Sequence, residues 1–225
     1  MTASDIFQQV YTAFIQQSGP EIVAVMLSIA YLVLVMKENM WCWPAAFLST
    51  AIFTWLFFSV NLLMESVLNV YYMVMAVYGW WAWKNADDDP DKITSHKPIL
   101  KWHKKKHTLV ILSVIVASAI NGYFLSKHTN AAWPYLDSFT TWGAVITTYM
   151  VARKVFENWY YWLVIDGVAL FLYIERGLYY IALLDMIYLV LVVIGIVQWK
   201  KKLANQSTQA DQQDIENINA ATETS

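Results

Sequence analysis

Trp159, Trp162 and Asp166 stand at i, i+3 and i+7, the spacing of one helical face. Two flat rings and one carboxylate on a single face suit an aromatic solute. The rings can stack on it, and the carboxylate can accept hydrogen bonds from sugar hydroxyls. A cationic ring would add a cation–π attraction of about 1–2 kcal/mol once desolvated. Asn69 and Tyr72 share a second face, joined one turn earlier by Glu65. Asp185 and Tyr188 repeat that spacing 116 residues later. Each group also has a plainer reading. Trp159 could be an interfacial anchor, and the polar groups could simply clamp helices together, typically at ~0.6 kcal/mol per contact. The duplication and the Trp–Asp spacing favour binding.

These residues lie in a chain that is 58% hydrophobic and 14% charged over 225 residues. A soluble domain carries about 25% charge. Here the charges cluster and leave long apolar gaps, which predicts an all-α integral membrane protein. Seven spans are expected, at roughly 21–36, 40–60, 64–84, 108–126, 136–153, 157–174 and 177–199. Asp166 then falls near the middle of the sixth span, where an ionised carboxylate costs about 2.5 kcal/mol or more unless it meets a partner or a wet cavity. Residues 1–20 place Ile6, Phe7, Val10, Tyr11, Phe14 and Ile15 at helical spacing, as in an amphipathic helix at a membrane surface. No cleavable signal peptide is expected, because this stretch lacks a basic start and an uninterrupted apolar run. Residues 203–225 are polar and read as a disordered tail.

The repeat defines the organisation. Asn69-x2-Tyr72-x6-Gly79-x3-Trp83-Lys84 returns as Asp185-x2-Tyr188-x6-Gly195-x3-Trp199-Lys200, at an offset of 116. Glu38-Asn39-x3-Trp43 and Glu157-Asn158-x3-Trp162 match at 119, which implies three residues lost from one loop. The expected plan is 3+1+3. A three-helix repeat over 21–84 and another over 136–199 run parallel, with a connector at 108–126, as in SWEET-type folds. Residues 85–107 form a loop, acidic at Asp87, Asp88, Asp89 and Asp91, then basic at Lys101, Lys104, Lys105 and Lys106. Placing the N-terminus outside puts 13 Lys and Arg in cytoplasmic segments and leaves only Lys127 and Arg176 outside. That bias orients the C-terminus inward, and the basic run is expected to meet anionic headgroups.

Other chemistry is thinly represented. The single cysteine, Cys42, excludes an internal disulfide. His103 and His107 share an i, i+4 spacing but have no third ligand beside them, so no metal is expected. No P-loop, GxSxG or HExxH motif occurs, so neither a cofactor nor ATP hydrolysis is expected. A net charge of -2 points to no nucleic acid. A membrane-embedded enzyme using Asp166 and Asp185 would need a nucleophile or metal that the sequence does not place. Gly79 and Gly195 read as close-packing positions. Trp83-Lys84 and Trp199-Lys200 read as membrane-exit anchors. Thr140, Thr141, Thr147 and Thr148 either line a cavity or bond to their own backbone.

The stretch Ala152-Arg153-Lys154-Val155-Phe156-Glu157-Asn158-Trp159-Tyr160-Tyr161-Trp162, followed by Asp166, resembles the PnuC nicotinamide riboside transporters. Asn69-x2-Tyr72, Tyr78-Gly79-Trp80 and Gly177-Leu178-Tyr179 are similar to the same family, over about residues 21–202. The resemblance implies a SWEET-like 3+1+3 fold and a homotrimer. It implies facilitated diffusion of nicotinamide riboside across the bacterial inner membrane, with a cytoplasmic kinase trapping the substrate and no ATPase subunit. It places Trp159, Trp162, Asn69 and Tyr72 at the substrate site. Relatives carry thiamine or riboflavin. Asp185 and Tyr188 as ligands rest on the internal repeat, and proton coupling through Asp166 is a variant of the transport reading.

Overall fold

The computed structural model describes residues 3–60, 63–84, 98–129 and 132–223. The acidic run at Asp87, Asp88, Asp89 and Asp91 lies outside them. Eight helices follow in order: α1 (Ala3–Ile15), α2 (Gly19–Met36), α3 (Cys42–Ser59), α4 (Leu63–Lys84), α5 (Lys104–His128), α6 (Pro134–Ala152), α7 (Asn158–Glu175) and α8 (Tyr179–Glu223). Local sequence sets the ends. Ser18 caps α2 by accepting from the Glu21 amide, and Pro134 opens α6, where its missing N–H is harmless. Gly177 closes α7 at φ 70°, with the Leu178 amide donating to the Tyr173 carbonyl at 2.8 Å. Helix α8 continues to Glu223, where the polar composition predicts disorder.

The helices form a closed ring, α2–α3–α4–α6–α7–α8 and back to α2. Contacts α2·α3 and α3·α4 correspond to α6·α7 and α7·α8. The cross-contact α4·α6 corresponds to α8·α2. The ring therefore has a two-fold relation between α2–α4 and α6–α8. Helix α5 lies outside against α6, and α1 lies against α8. Asn121 of α5 donates to the Ser138 hydroxyl, and Tyr135 fills the space over Gly122.

One wedge motif occurs twice. The Trp43 indole lies on Gly79 and meets Trp83 edge-to-face at 5.2 Å and 86°. Trp159 lies on Gly195 and meets Trp199 at 5.5 Å and 82°. All four indoles are essentially buried. Trp83 donates to the Ala152 carbonyl at 3.1 Å and Trp199 to the Val35 carbonyl at 3.3 Å, each bond crossing from one half of the ring to the other. Trp83 and Trp199 are thus core residues and not exit anchors. Only Lys84 and Lys200 beside them are exposed.

The register between the halves is 116 throughout, which removes the expected three-residue loss. In the first half the Asn39 amide bonds the Leu34 carbonyl, Glu38 bonds Val35, and Cys42 bonds Asn39. In the second half Val155 bonds Met150, Lys154 bonds Val151, and Asn158 bonds Val155. The equivalents are Glu38 with Lys154 and Trp43 with Trp159. The sequence match of Glu38-Asn39 to Glu157-Asn158 is fortuitous.

The ring is apolar outside. On α4, Val67, Val70, Val74, Val77 and Trp81 are exposed at helical spacing, whereas Ser66 and Asn69 on the opposite face are buried. On α8, Met186, Val190, Val193 and Val197 face outward and Asp185 inward. Helices α2, α3 and α5, and α8 over Tyr179–Gln209, are long and apolar enough to cross a membrane.

Candidate functional site

The inward faces of α4, α7 and α8 bring a set of polar side chains together. Asp185 and Asn69 are buried, and Asp166, Tyr72 and Tyr188 are half-buried. Asp166 lies within electrostatic range of Asp185, and Tyr72 lies within range of both Asp166 and Glu65. The Tyr188 hydroxyl shares a hydrogen bond with the Ser28 hydroxyl and lies within range of both aspartates. One oxygen of Asp185, Oδ2, is buried without a protein partner. An unpaired acceptor of this kind is costly unless a water or a ligand completes it. Asn69 donates to the Glu65 carbonyl at 2.9 Å on its own helix, which fixes its amide orientation. The Asn69/Tyr72 and Asp185/Tyr188 pairs are equivalent under the two-fold relation.

The two tryptophans of α7 separate. Trp162 is half-buried beside the core, on the same face as Asp166. Trp159 is fully buried between Gly195 and Trp199, so neither ring face is free for a solute. Its role in this structure is packing. The four threonines of α6 donate to their own helix: Thr140 and Thr141 to Asp137, Thr147 to Gly143, and Thr148 to Ala144.

Sequence reasoning missed several contributors. Ser28 and Tyr173 belong to the cluster, the latter within range of Asp185, Glu65 and Asp166. Arg176 pairs with Asp137 at one end of the ring, with Glu65 in electrostatic reach of both. At the other end Lys154 pairs with Glu38 at 3.0 Å, and Lys202 pairs with Glu38 at 2.8 Å. Burial acts to raise the Glu38 carboxyl, but Lys154 and Lys202 outweigh it and hold it below the usual carboxylate range. Strict use of the 116 offset would have matched Glu38 with Lys154. Ser28 and Tyr173 leave no such trace, because their equivalents are Ala144 and Phe57.

Two surface depressions lie away from this cluster. One is against α1, and one of about 350 Å³ lies between α3 and α4, lined by Trp43, Phe47, Ala76 and Trp80 among others. No group of three or more metal-ligating side chains occurs among the described residues. The arrangement can offer hydrogen bonds and negative charge to a polar solute inside a helical ring.

The chain has known relatives. The chain is 24% identical over 180 residues to the riboflavin/roseoflavin transporter RibM of Streptomyces davaonensis, covering 80% of this chain and 83% of that one. It is 20% identical over 188 residues to the nicotinamide riboside transporter PnuC of Escherichia coli, covering 72% and 77%. The crystal structure of the vitamin B3 transporter PnuC matches with a TM-score of 0.67 at 20% identity, over 88% of each chain. These neighbours are transporters, not enzymes. Residues 18–201 match the family model described as nicotinamide mononucleotide transporter, and the chain belongs to that family.

Proposed function

We propose that the protein carries nicotinamide riboside across the bacterial inner membrane by facilitated diffusion, with cytoplasmic phosphorylation removing the arriving solute. Asp166 and Asp185 within electrostatic reach of each other, inside a ring whose outer faces are apolar, carry this reading. A flat cation with ribose hydroxyls matches that lining. Trp162 stacks on the ring. Asp166, Asp185 and Asn69 bond the hydroxyls and amide, and Tyr72 and Tyr188 line the path. Seven helices, α2 to α8, cross the bilayer as 3+1+3. The outward stripe on α4 supports its crossing despite its polar inner face, since lipid replaces water on that stripe. The N-terminus lies outside, the C-terminus is cytoplasmic, and three copies assemble. No ATPase subunit takes part.

A second reading is riboflavin, supported by the identity to RibM. Thiamine, also a cationic aromatic, is a third. Titration of the purified protein with all three, followed by tryptophan fluorescence, separates them. Nicotinamide riboside is expected to quench at micromolar to millimolar levels, and the neutral flavin more weakly. Absence of quenching by nicotinamide riboside at millimolar concentration, with quenching by riboflavin, would replace the first reading by the second.

A further inference from the structure

Glu38 and Lys154 are the two non-glycine residues with left-handed backbone among the described residues, at φ 57° and 53°. Each is the turn residue that ends the first helix of its half, a position where glycine is favoured because it has no Cβ penalty. They are also equivalents at the 116 offset, yet one is acidic and the other basic. Their side chains meet, Oε2 to Nζ at 3.0 Å, and both are largely buried. A two-fold axis passes through the midpoint between any residue and its equivalent. Equivalents that touch must therefore both lie close to the axis. The polar cluster also spans the two halves, with Tyr72 of α4 in electrostatic range of Asp166 of α7 and Asp166 in range of Asp185.

The Lys154 ammonium also sits 4.5 Å from the centre of the Trp83 ring, in the opposite half, while Lys202 of α8 holds the second oxygen of Glu38. Every one of these contacts ties one half of the ring to the other. Leu100 backs the same turn through an isolated bridge to Val155, its amide donating to the Lys154 carbonyl at 2.9 Å and the Phe156 amide donating to its carbonyl at 2.8 Å. Two residues in unfavoured backbone conformations, paired across the axis, are best explained by use of their side chains.

We infer that the Glu38–Lys154 pair is the closure at one end of the solute path, and that separating these side chains opens that end when the two halves rock apart. This rests on the transport reading above, which makes this end cytoplasmic. The pair acts on the translocation step and not on the solute.

Cys42 reports the closure. It is the single cysteine, fully buried four residues after Glu38 and within electrostatic reach of Lys154. A membrane-impermeant maleimide is applied to inside-out vesicles and to right-side-out spheroplasts containing the full-length protein. Wild-type Cys42 is expected to react slowly from both sides. Glu38→Gly and Glu38→Gln should each accelerate labelling at least tenfold in inside-out vesicles. Lys202→Gln, which removes the second tie to Glu38 but keeps the Glu38–Lys154 pair, should accelerate labelling less than either Glu38 variant. Glycine suits the turn better than glutamate, so a role confined to the backbone turn predicts no acceleration in Glu38→Gly, and that result would overturn the inference. Loss of the folded protein in both Glu38 variants, judged by size-exclusion elution, would overturn it too. Acceleration only in spheroplasts would support the closure while reversing the proposed orientation. The assay uses no solute, so it succeeds or fails independently of substrate identity.

Discussion

At the residue scale, Trp159 and Trp162 test the difference between a spacing and a site. Their i, i+3 relation is real, but the helix places one against glycine and the other beside the acidic cluster. Trp159 has no exposed area, so its ring offers no surface to a solute and contributes through packing. Trp159→Ala is expected to cost stability on the order of 3–5 kcal/mol, as large aromatic truncations in cores do, and to lower the melting temperature of the detergent-solubilised protein. Trp162→Ala should melt closer to wild type and bind nicotinamide riboside at least tenfold more weakly, about 1.4 kcal/mol. Equal affinity for Trp162→Ala and wild type, in a folded variant, would leave Trp162 as packing and move the stacking surface to the tyrosines. The sequence contained no means of telling the two apart. Whether a ring is covered depends on Gly195 and Trp199, residues of another helix, and only the exact repeat register links them to Trp159.

At the element scale, the internal repeat was legible where packing repeats the same side chains and illegible where it repeats only backbone shape. Trp43/Trp159, Gly79/Gly195 and Trp83/Trp199 keep their identities because each wedge needs a large ring, a missing Cβ and a second ring. Glu38 and Lys154 share only a left-handed turn, so residue matching slid to Glu157 and gave a false offset of 119. Helix α8 runs on through the polar residues to Glu223, since polar composition argues against a packed core but not against a helix continued from an anchored one. The wedges carry a prediction of equivalence. A Cβ on Gly195 would sit 2.5 Å from the Trp159 ring, and one on Gly79 would clash comparably with Trp43. Buried indoles locked on both sides cannot move aside cheaply. Gly79→Ala and Gly195→Ala should each destabilise by about 1–3 kcal/mol, and by similar amounts, in thermal melts. A loss confined to one of them would mean that the two halves are packed by different rules.

At the scale of the whole molecule, a ring with one apolar outside and one acidic inside raises the question of what drives the solute. Nicotinamide riboside carries one positive charge. If it crosses alone, the membrane potential acts on it with about 2.3 kcal/mol per 100 mV, so it accumulates about tenfold for each ~60 mV, inside negative. If Asp166 or Asp185 instead returned a proton outward for each solute carried in, the exchange would move no net charge. Potential alone would then have no effect, and a pH difference would drive accumulation. Proteoliposomes at equal pH on both sides, with a potassium diffusion potential set by valinomycin, distinguish the two. Uniport predicts equilibration to equal concentrations at zero potential, roughly tenfold accumulation near 60 mV, and no change when a protonophore is added with the potential held by excess valinomycin and potassium. No accumulation under the potential at equal pH, with accumulation when a pH difference is imposed at zero potential, would make the paired aspartates proton carriers. Their proximity, Asp166 in reach of Asp185 inside the ring, would then serve proton transfer as well as recognition of the solute.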